Sequence, residues 1–159
     1  MKKIRVGVIG LGFIGKQHVE ALRRLPYIEI VAGSDSNLSM REWCEKNGIQ
    51  KYYSDYKEML TNENMDVVHN CTPNNFHYEV SCEILKTGCH VYSEKPLTIK
   101  SVEGESLIEL ADKKGLKTAV NFNYRNNLMV QEIQQRIQNG RMGMISHIQV
   151  EYCLLYTSP

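Results

Sequence analysis

Apolar runs and helical repeats alternate along the chain. Ile4–Ile9 is dense in Val and Ile and reads as a strand buried on both faces. The pattern turns amphipathic over Ile14–Arg24, a helix that Pro26 cannot continue. Ile28–Gly33 is a second strand and Leu38–Lys46 a second helix, with Asn47-Gly48 as its stop signal. Asp55 is placed to cap a short helix running through Leu60. Asp66–Cys71 is the next strand, ended by Thr72-Pro73. A helical repeat over Phe76–Lys86 puts Val80, Ile84 and Leu85 on one face and stops at Gly88. His90–Ser93 is a strand, Ser101–Lys114 a helix with Leu107, Ile108 and Ala111 inward, and Lys117–Val120 a strand. This alternation predicts an α/β fold, a doubly wound parallel sheet with helices on both faces.

The pattern changes after residue 120. Leu128–Gln138 is helical (Leu128, Ile133, Ile137) and ends at Asn139-Gly140. Met144–Tyr152 then alternates, with Ser146, Ile148, Val150 and Tyr152 on a mostly apolar side. That is the signature of a half-buried strand of an antiparallel sheet. The expected organisation is a first domain over residues 1–120, followed over 121–152 by a hinge, a helix and the first strand of a truncated α+β C-terminal domain. The seven residues 153–159 back-translate as TGTCTCTTATACACATCTCC, which resembles the transposon end used to fragment DNA for sequencing. They are expected to be adapter read-through on a gene fragment and are set aside from fold reasoning.

Composition narrows the function classes. The chain is 42% hydrophobic and 23% charged, ordinary for a globular protein, and its net charge of +1 points neither to nucleic acid nor to a membrane surface. No apolar run reaches the roughly 18 residues of a membrane helix, and Met1-Lys2-Lys3 runs straight into a strand, unlike a signal peptide. The five cysteines form no C-x-x-C pair, so no metal is expected. Their odd number fits reduced thiols in a cytoplasm.

The chemistry concentrates at Gly10-Leu11-Gly12-Phe13-Ile14-Gly15, between the first strand and the first helix. Gly10 permits the tight turn, Gly12 lets backbone approach a pyrophosphate, and Gly15 lets the helix pack closely. Backbone amides at the helix start, Phe13 and Ile14 among them, and the helix dipole then hold phosphate. Asp35 lies twenty residues past Gly15, at the end of the next apolar run, where it can accept hydrogen bonds from an adenosine ribose. A 2′-phosphate would set two anions against each other, so NAD is expected over NADP. Arg41 is a cation that could swing toward such a phosphate, though its expected place is a solvated helix face. The whole reads as a Rossmann-type dinucleotide-binding unit.

Two further motifs follow, Cys71-Thr72-Pro73-Asn74-Asn75-Phe76-His77 and Ser93-Glu94-Lys95-Pro96-Leu97. With the glycine turn, they resemble the glucose–fructose oxidoreductase / inositol dehydrogenase (Gfo/Idh/MocA) family over about residues 1–152. The resemblance implies that Thr72, Pro73, Asn74 and His77 line the cofactor, that Glu94 bonds the nicotinamide-side ribose, and that Lys95 faces nicotinamide and substrate. It also implies that Asn123 and Arg125, after the last strand of the sheet, lie at a hinge and touch the nicotinamide end. The implied activity is hydride transfer between nicotinamide and a sugar, polyol or related alcohol, by a homo-oligomeric full-length enzyme. Members carry a C-terminal domain with a large antiparallel sheet that supplies most substrate contacts, so the fragment itself is expected to be inactive.

Lys95 suits that chemistry. As hydride leaves an alcohol carbon a proton must leave the oxygen, and an adjacent ammonium stabilises the developing alkoxide. The resemblance also implies an alternative, an NAD-dependent glycoside hydrolase of the same family, and a third reading is a non-catalytic dinucleotide-binding regulatory module.

Overall fold

The structure, a computed structural model, describes residues 3–151. The chain divides after Asn121 into two compact units. The first holds six strands: β1 (Ile4–Ile9), β2 (Ile28–Ser34), β3 (Tyr52–Tyr53), β4 (Val67–Asn70), β5 (His90–Ser93) and β6 (Thr118–Val120). All neighbours pair parallel in the order β3-β2-β1-β4-β5-β6. The connecting helices are α1 (Phe13–Arg23), α2 (Met40–Lys46), α3 (Tyr56–Asn62), α4 (His77–Lys86) and α5 (Ser101–Lys114). The order reverses between β1 and β4, and the carboxyl edge of the sheet at such a reversal is where ligands bind in this architecture.

Each face of the sheet has its own core, as the dense Val/Ile strands require. Val6 and Val8 pack with Leu11, Val19, Leu22, Cys44 and Ile49 on the side of α1 and α2. Ile9, Val31, Val68 and Val91 pack with Met59, Val80, Ile84, Leu107 and Ala111 on the side of α3, α4 and α5. At about 25 cal/mol per Å² of apolar area, each fully buried Leu, Ile or Val contributes roughly 1.5–3 kcal/mol before entropy is subtracted.

Several local expectations shift for physical reasons. α2 begins at Met40 rather than Leu38, because Asn37 N donates to Asp35 Oδ1 at 2.8 Å and Ser39 N to Asn37 Oδ1 at 3.1 Å, side-chain turns that compete with helix. α4 begins at His77 after a 3-10 turn over Asn74–Phe76. Ile108 is half exposed rather than inward, because Leu107 and Ala111, four residues apart, define the buried line of α5. The two-residue β3 is too short to leave a periodic pattern. Asp55 does cap α3, accepting from Lys57 N at 2.8 Å.

The second unit contains a 3-10 turn over Asn123–Asn126 and helix α6 (Leu128–Gln138), capped by Asn127, which accepts from Met129 N at 2.9 Å. The described part of the strand expected over Met144–Tyr152, residues 144–151, has no regular secondary structure, and among the described residues nothing pairs with it. Alternation marks a face suited to a sheet, but a strand exists only with a ladder partner. Tyr152 and the suspected read-through at 153–159 lie outside the described residues.

Candidate functional site

The glycine turn sits at the carboxyl edge of β1. Gly10 has φ +85°, and a Cβ there would meet Cys71 O at 2.5 Å. A Cβ on Gly15 would fall on the carbonyl oxygen of Gly10, so this glycine seats α1 on the turn itself. Gly12 is different: nothing lies within 4 Å of the position its Cβ would take, and its φ of −66° suits any residue. Its missing side chain leaves space on the outside of the turn, where a ligand approaches. Gly12 is also the N-cap of α1 and offers no side-chain cap, so the first amides of the helix, from Phe13, have no intrahelical acceptor.

That space belongs to a cavity of about 760 Å³. Gly10, Gly12, Phe13, Ile14, Asp35 and Thr72 all line it, with Pro73 beside them. Ser54–Lys57, together with Phe76 and Glu79, also line it. These residues cluster only because the α3 and α4 N-termini meet at the sheet edge, a tertiary feature with no sequence signal. Phe13 is 78% exposed, an apolar ring held in the open beside the turn.

Asp35 directly follows β2 and ties itself to the turn. Its Oδ2 accepts from Leu11 N at 2.6 Å and its Oδ1 from Asn37 N at 2.8 Å. Its carbonyl accepts from Tyr52 Oη at 2.5 Å. Each carboxylate oxygen keeps a lone pair for a further donor. Arg41 stacks over the Tyr52 ring at 5.1 Å.

The loop after β4 is organised by two buried polar residues. Asn70, fully buried, donates to His77 O at 3.0 Å and to Ser81 Oγ at 2.9 Å, and accepts from Thr72 Oγ1 at 2.7 Å. His77 is also fully buried, so it does not line the cavity as expected. Its Nε2 is 2.8 Å from Thr72 O and its Nδ1 2.5 Å from Pro96 O. It staples the Thr72 loop to the Lys95-Pro96 segment, which contains a cis peptide bond. Asn74 is exposed in the 3-10 turn between them. Burial, with Glu94 second, pushes the Cys71 thiol well above its ordinary range, which keeps it protonated and unreactive.

Glu94 and Lys95 follow β5. Lys95 is exposed. Glu94 is buried, and its Oε1 accepts from Asn121 Nδ2 at 2.6 Å and faces His18 Nε2 at 2.9 Å. Its Oε2 accepts from Lys95 N at 3.2 Å. Burial alone would raise this carboxyl, but the hydrogen bonds from Asn121, His18 and the Lys95 amide outweigh it and hold it below the usual range. His18 Nδ1 is 2.8 Å from His69 Nδ1, and His69 stacks on Tyr92. Burial, then the neighbouring His18, pushes His69 down to about 3, so its ring is neutral. Sequence reasoning passed over His18, His69 and Tyr92. The available signal was a histidine on the apolar face of the first helix, beside Val19 and Leu22. Asn123 and Arg125 lie in the 3-10 turn of the second unit.

The oxidoreductase family model described as an NAD-binding Rossmann fold (GFO_IDH_MocA) matches residues 4–122. The D-glucoside 3-dehydrogenase of Escherichia coli is 35% identical over 144 residues, covering 89% of this chain and 41% of that protein. The myo-inositol 2-dehydrogenase of Thermotoga maritima is 33% identical over 141 residues, covering 88% and 42%. A crystal structure of myo-inositol 2-dehydrogenase from Lactobacillus plantarum matches with TM-score 0.85 and 26% identity, covering 91% of this chain and 43% of that one. The WlbA dehydrogenase from Bordetella pertussis, in complex with NADH and UDP-GlcNAcA, matches with TM-score 0.84 and 29% identity, covering 89% and 41%. The chain thus spans about two fifths of the length of the curated relatives it matches. By the extent of the family match, over residues 4–122, this chain belongs to the Gfo/Idh/MocA oxidoreductase family with an NAD-binding Rossmann fold.

Proposed function

We propose that the chain is the cofactor-binding part of an NAD-dependent dehydrogenase acting on a hydroxyl of a sugar or polyol. The open space at Gly12 carries the reading: a turn that excludes side chains at Gly10 and Gly15 yet leaves the Gly12 side empty is shaped for a pyrophosphate. The names of relatives, a glucoside and an inositol dehydrogenase, support the substrate class.

Strand order orients the dinucleotide. Asp35 on β2 takes the adenosine ribose on one side of the turn, and its charge disfavours a 2′-phosphate. The nicotinamide half then falls on the other side of β1, toward the ends of β4 and β5, where Thr72, Glu94 and Lys95 stand. When bound, NAD supplies the acceptor for hydride from the substrate carbon. The protein's own part is to hold the substrate alcohol by Lys95, whose ammonium stabilises negative charge growing on the oxygen as its proton departs. Cys71 and His69, both neutral, add no competing charge at this edge.

Calorimetric titration of the chain with NAD and NADP tests the proposal. Binding of NAD at least about tenfold tighter than NADP supports it, a gap of about 1.4 kcal/mol. Absence of binding to either in a folded chain would overturn it.

A further inference from the structure

The buried face of α1 runs through Gly15, His18, Val19 and Leu22, and His18 is the polar residue in that line, 8% exposed. A histidine on a core face must find partners for both ring nitrogens. His18 finds His69 on one side and Glu94 Oε1 on the other. The same oxygen accepts from Asn121, the last residue of the first unit, at 2.6 Å. Asn121 is itself fixed: its Oδ1 accepts from Tyr92 Oη at 3.0 Å and its amide donates to Ser93 O at 2.8 Å. Glu94 is thus gripped from two directions at one oxygen, while the other oxygen holds the amide of Lys95. Turning the carboxylate would strand the buried His18 and the half-buried Asn121 and release that amide.

We propose that His18 and Asn121 are positioning residues, which act through Glu94 to fix the Glu94–Lys95 peptide at the nicotinamide end of the bound dinucleotide. The inference rests on the cofactor reading above. Neither residue lines the cavity at the glycine turn, and both ring nitrogens of His18 are already taken up by His69 and Glu94. Their effect therefore falls on one half of the dinucleotide. Among the described residues, no side-chain hydrogen bond links this network to Asp35 or the glycine turn, which serve the adenosine and pyrophosphate.

That division supplies the test. ADP reports on the adenosine and pyrophosphate half, and NADH adds the nicotinamide riboside. The chain is titrated with both, unaltered and as His18→Met, His18→Gln and Asn121→Leu. Loss of one hydrogen bond to a charged acceptor weakens an interaction by about tenfold. We expect that loss for NADH in His18→Met and Asn121→Leu, with ADP affinity held within about twofold. His18→Gln, whose amide can donate to Oε1, is expected to keep NADH affinity within about threefold. Equal losses for ADP and NADH, or no loss of either, would overturn the inference, as would a glutamine variant as impaired as the methionine one. If His18→Met does not fold, Asn121→Leu, at a half-buried position, carries the same expectation. An unaltered chain that binds ADP but gains nothing from the nicotinamide half overturns the positioning role alone. A chain that binds neither overturns the cofactor reading as well.

Discussion

Replacing Asp35 separates two jobs that one carboxylate performs. Its Oδ2 secures Leu11 N, and Leu11 is fully buried, whereas its Oδ1 secures the exposed Asn37 N. The carboxylate also presents negative charge where a 2′-phosphate would lie. At ~4 Å and an effective dielectric of ~20, a unit charge pair is worth about 4 kcal/mol. If solvent leaves a third of that, the discrimination is about 1.4 kcal/mol, or tenfold. Asp35→Asn removes the charge but keeps one acceptor, which can turn to Leu11 N, while its NH₂ gives up the bond from the exposed Asn37 N–H, which water can replace. Asp35→Ala leaves the Leu11 amide without a partner, at a cost of about 1–3 kcal/mol. The assay is calorimetry with NAD and NADP, paired with urea unfolding of each variant. Both variants are expected to lower the NAD/NADP affinity ratio by about tenfold. Only Asp35→Ala is expected to lose more than about 1 kcal/mol of stability. A ratio unchanged in Asp35→Asn would show that charge at this position does not select the cofactor.

Other outcomes follow from the same geometry. Gly12→Ala should leave the unfolding midpoint nearly unchanged, because nothing lies within 4 Å of its Cβ position, yet weaken NAD binding by at least about tenfold. Gly15→Ala sets a Cβ on the Gly10 carbonyl and should cost about 3 kcal/mol or prevent folding, as thermal unfolding would report. Asn70→Ala strips partners from His77 O, Ser81 and Thr72 at a fully buried position and should destabilise the chain by about 3 kcal/mol in urea. Glu94 is held below its ordinary value of 4.5, so its stabilising contribution is complete above that value and is lost as pH falls through the lowered folded value. The stability difference between the unaltered chain and Glu94→Gln should therefore be largest near neutral pH and shrink below about pH 4.5, measured by urea unfolding across pH.

The glycine turn was legible in sequence because each of its constraints is local. Gly10 answers a positive φ, Gly15 a carbonyl five residues back, and Asp35 a strand end set by the preceding apolar run. The strands were legible because a sheet covered on both faces demands unbroken Val and Ile. The polar network around Glu94 was not legible, because its partners are distant in the chain: His18 and Glu94 are 76 residues apart. Parallel crossovers bring them together, and no local periodicity encodes which strand ends become neighbours. His77 shows the same limit. Its motif marked it as part of the site, but its burial between two carbonyl oxygens depends on where the Pro96 segment folds back. The alternation after Met144 shows the reverse case, a local pattern that finds no ladder partner among the described residues.

The most direct measurement is an amide NMR titration of the 18.3 kDa chain with NAD. If the glycine turn is the cofactor cradle, the largest shifts should fall on the amides of Gly10, Gly12, Phe13, Ile14, Asp35 and Thr72, with the core strands β1 and β4 little changed before their carboxyl ends. Shifts that avoid the turn, or no shifts in a folded chain at saturating NAD, would mean that the dinucleotide does not bind there.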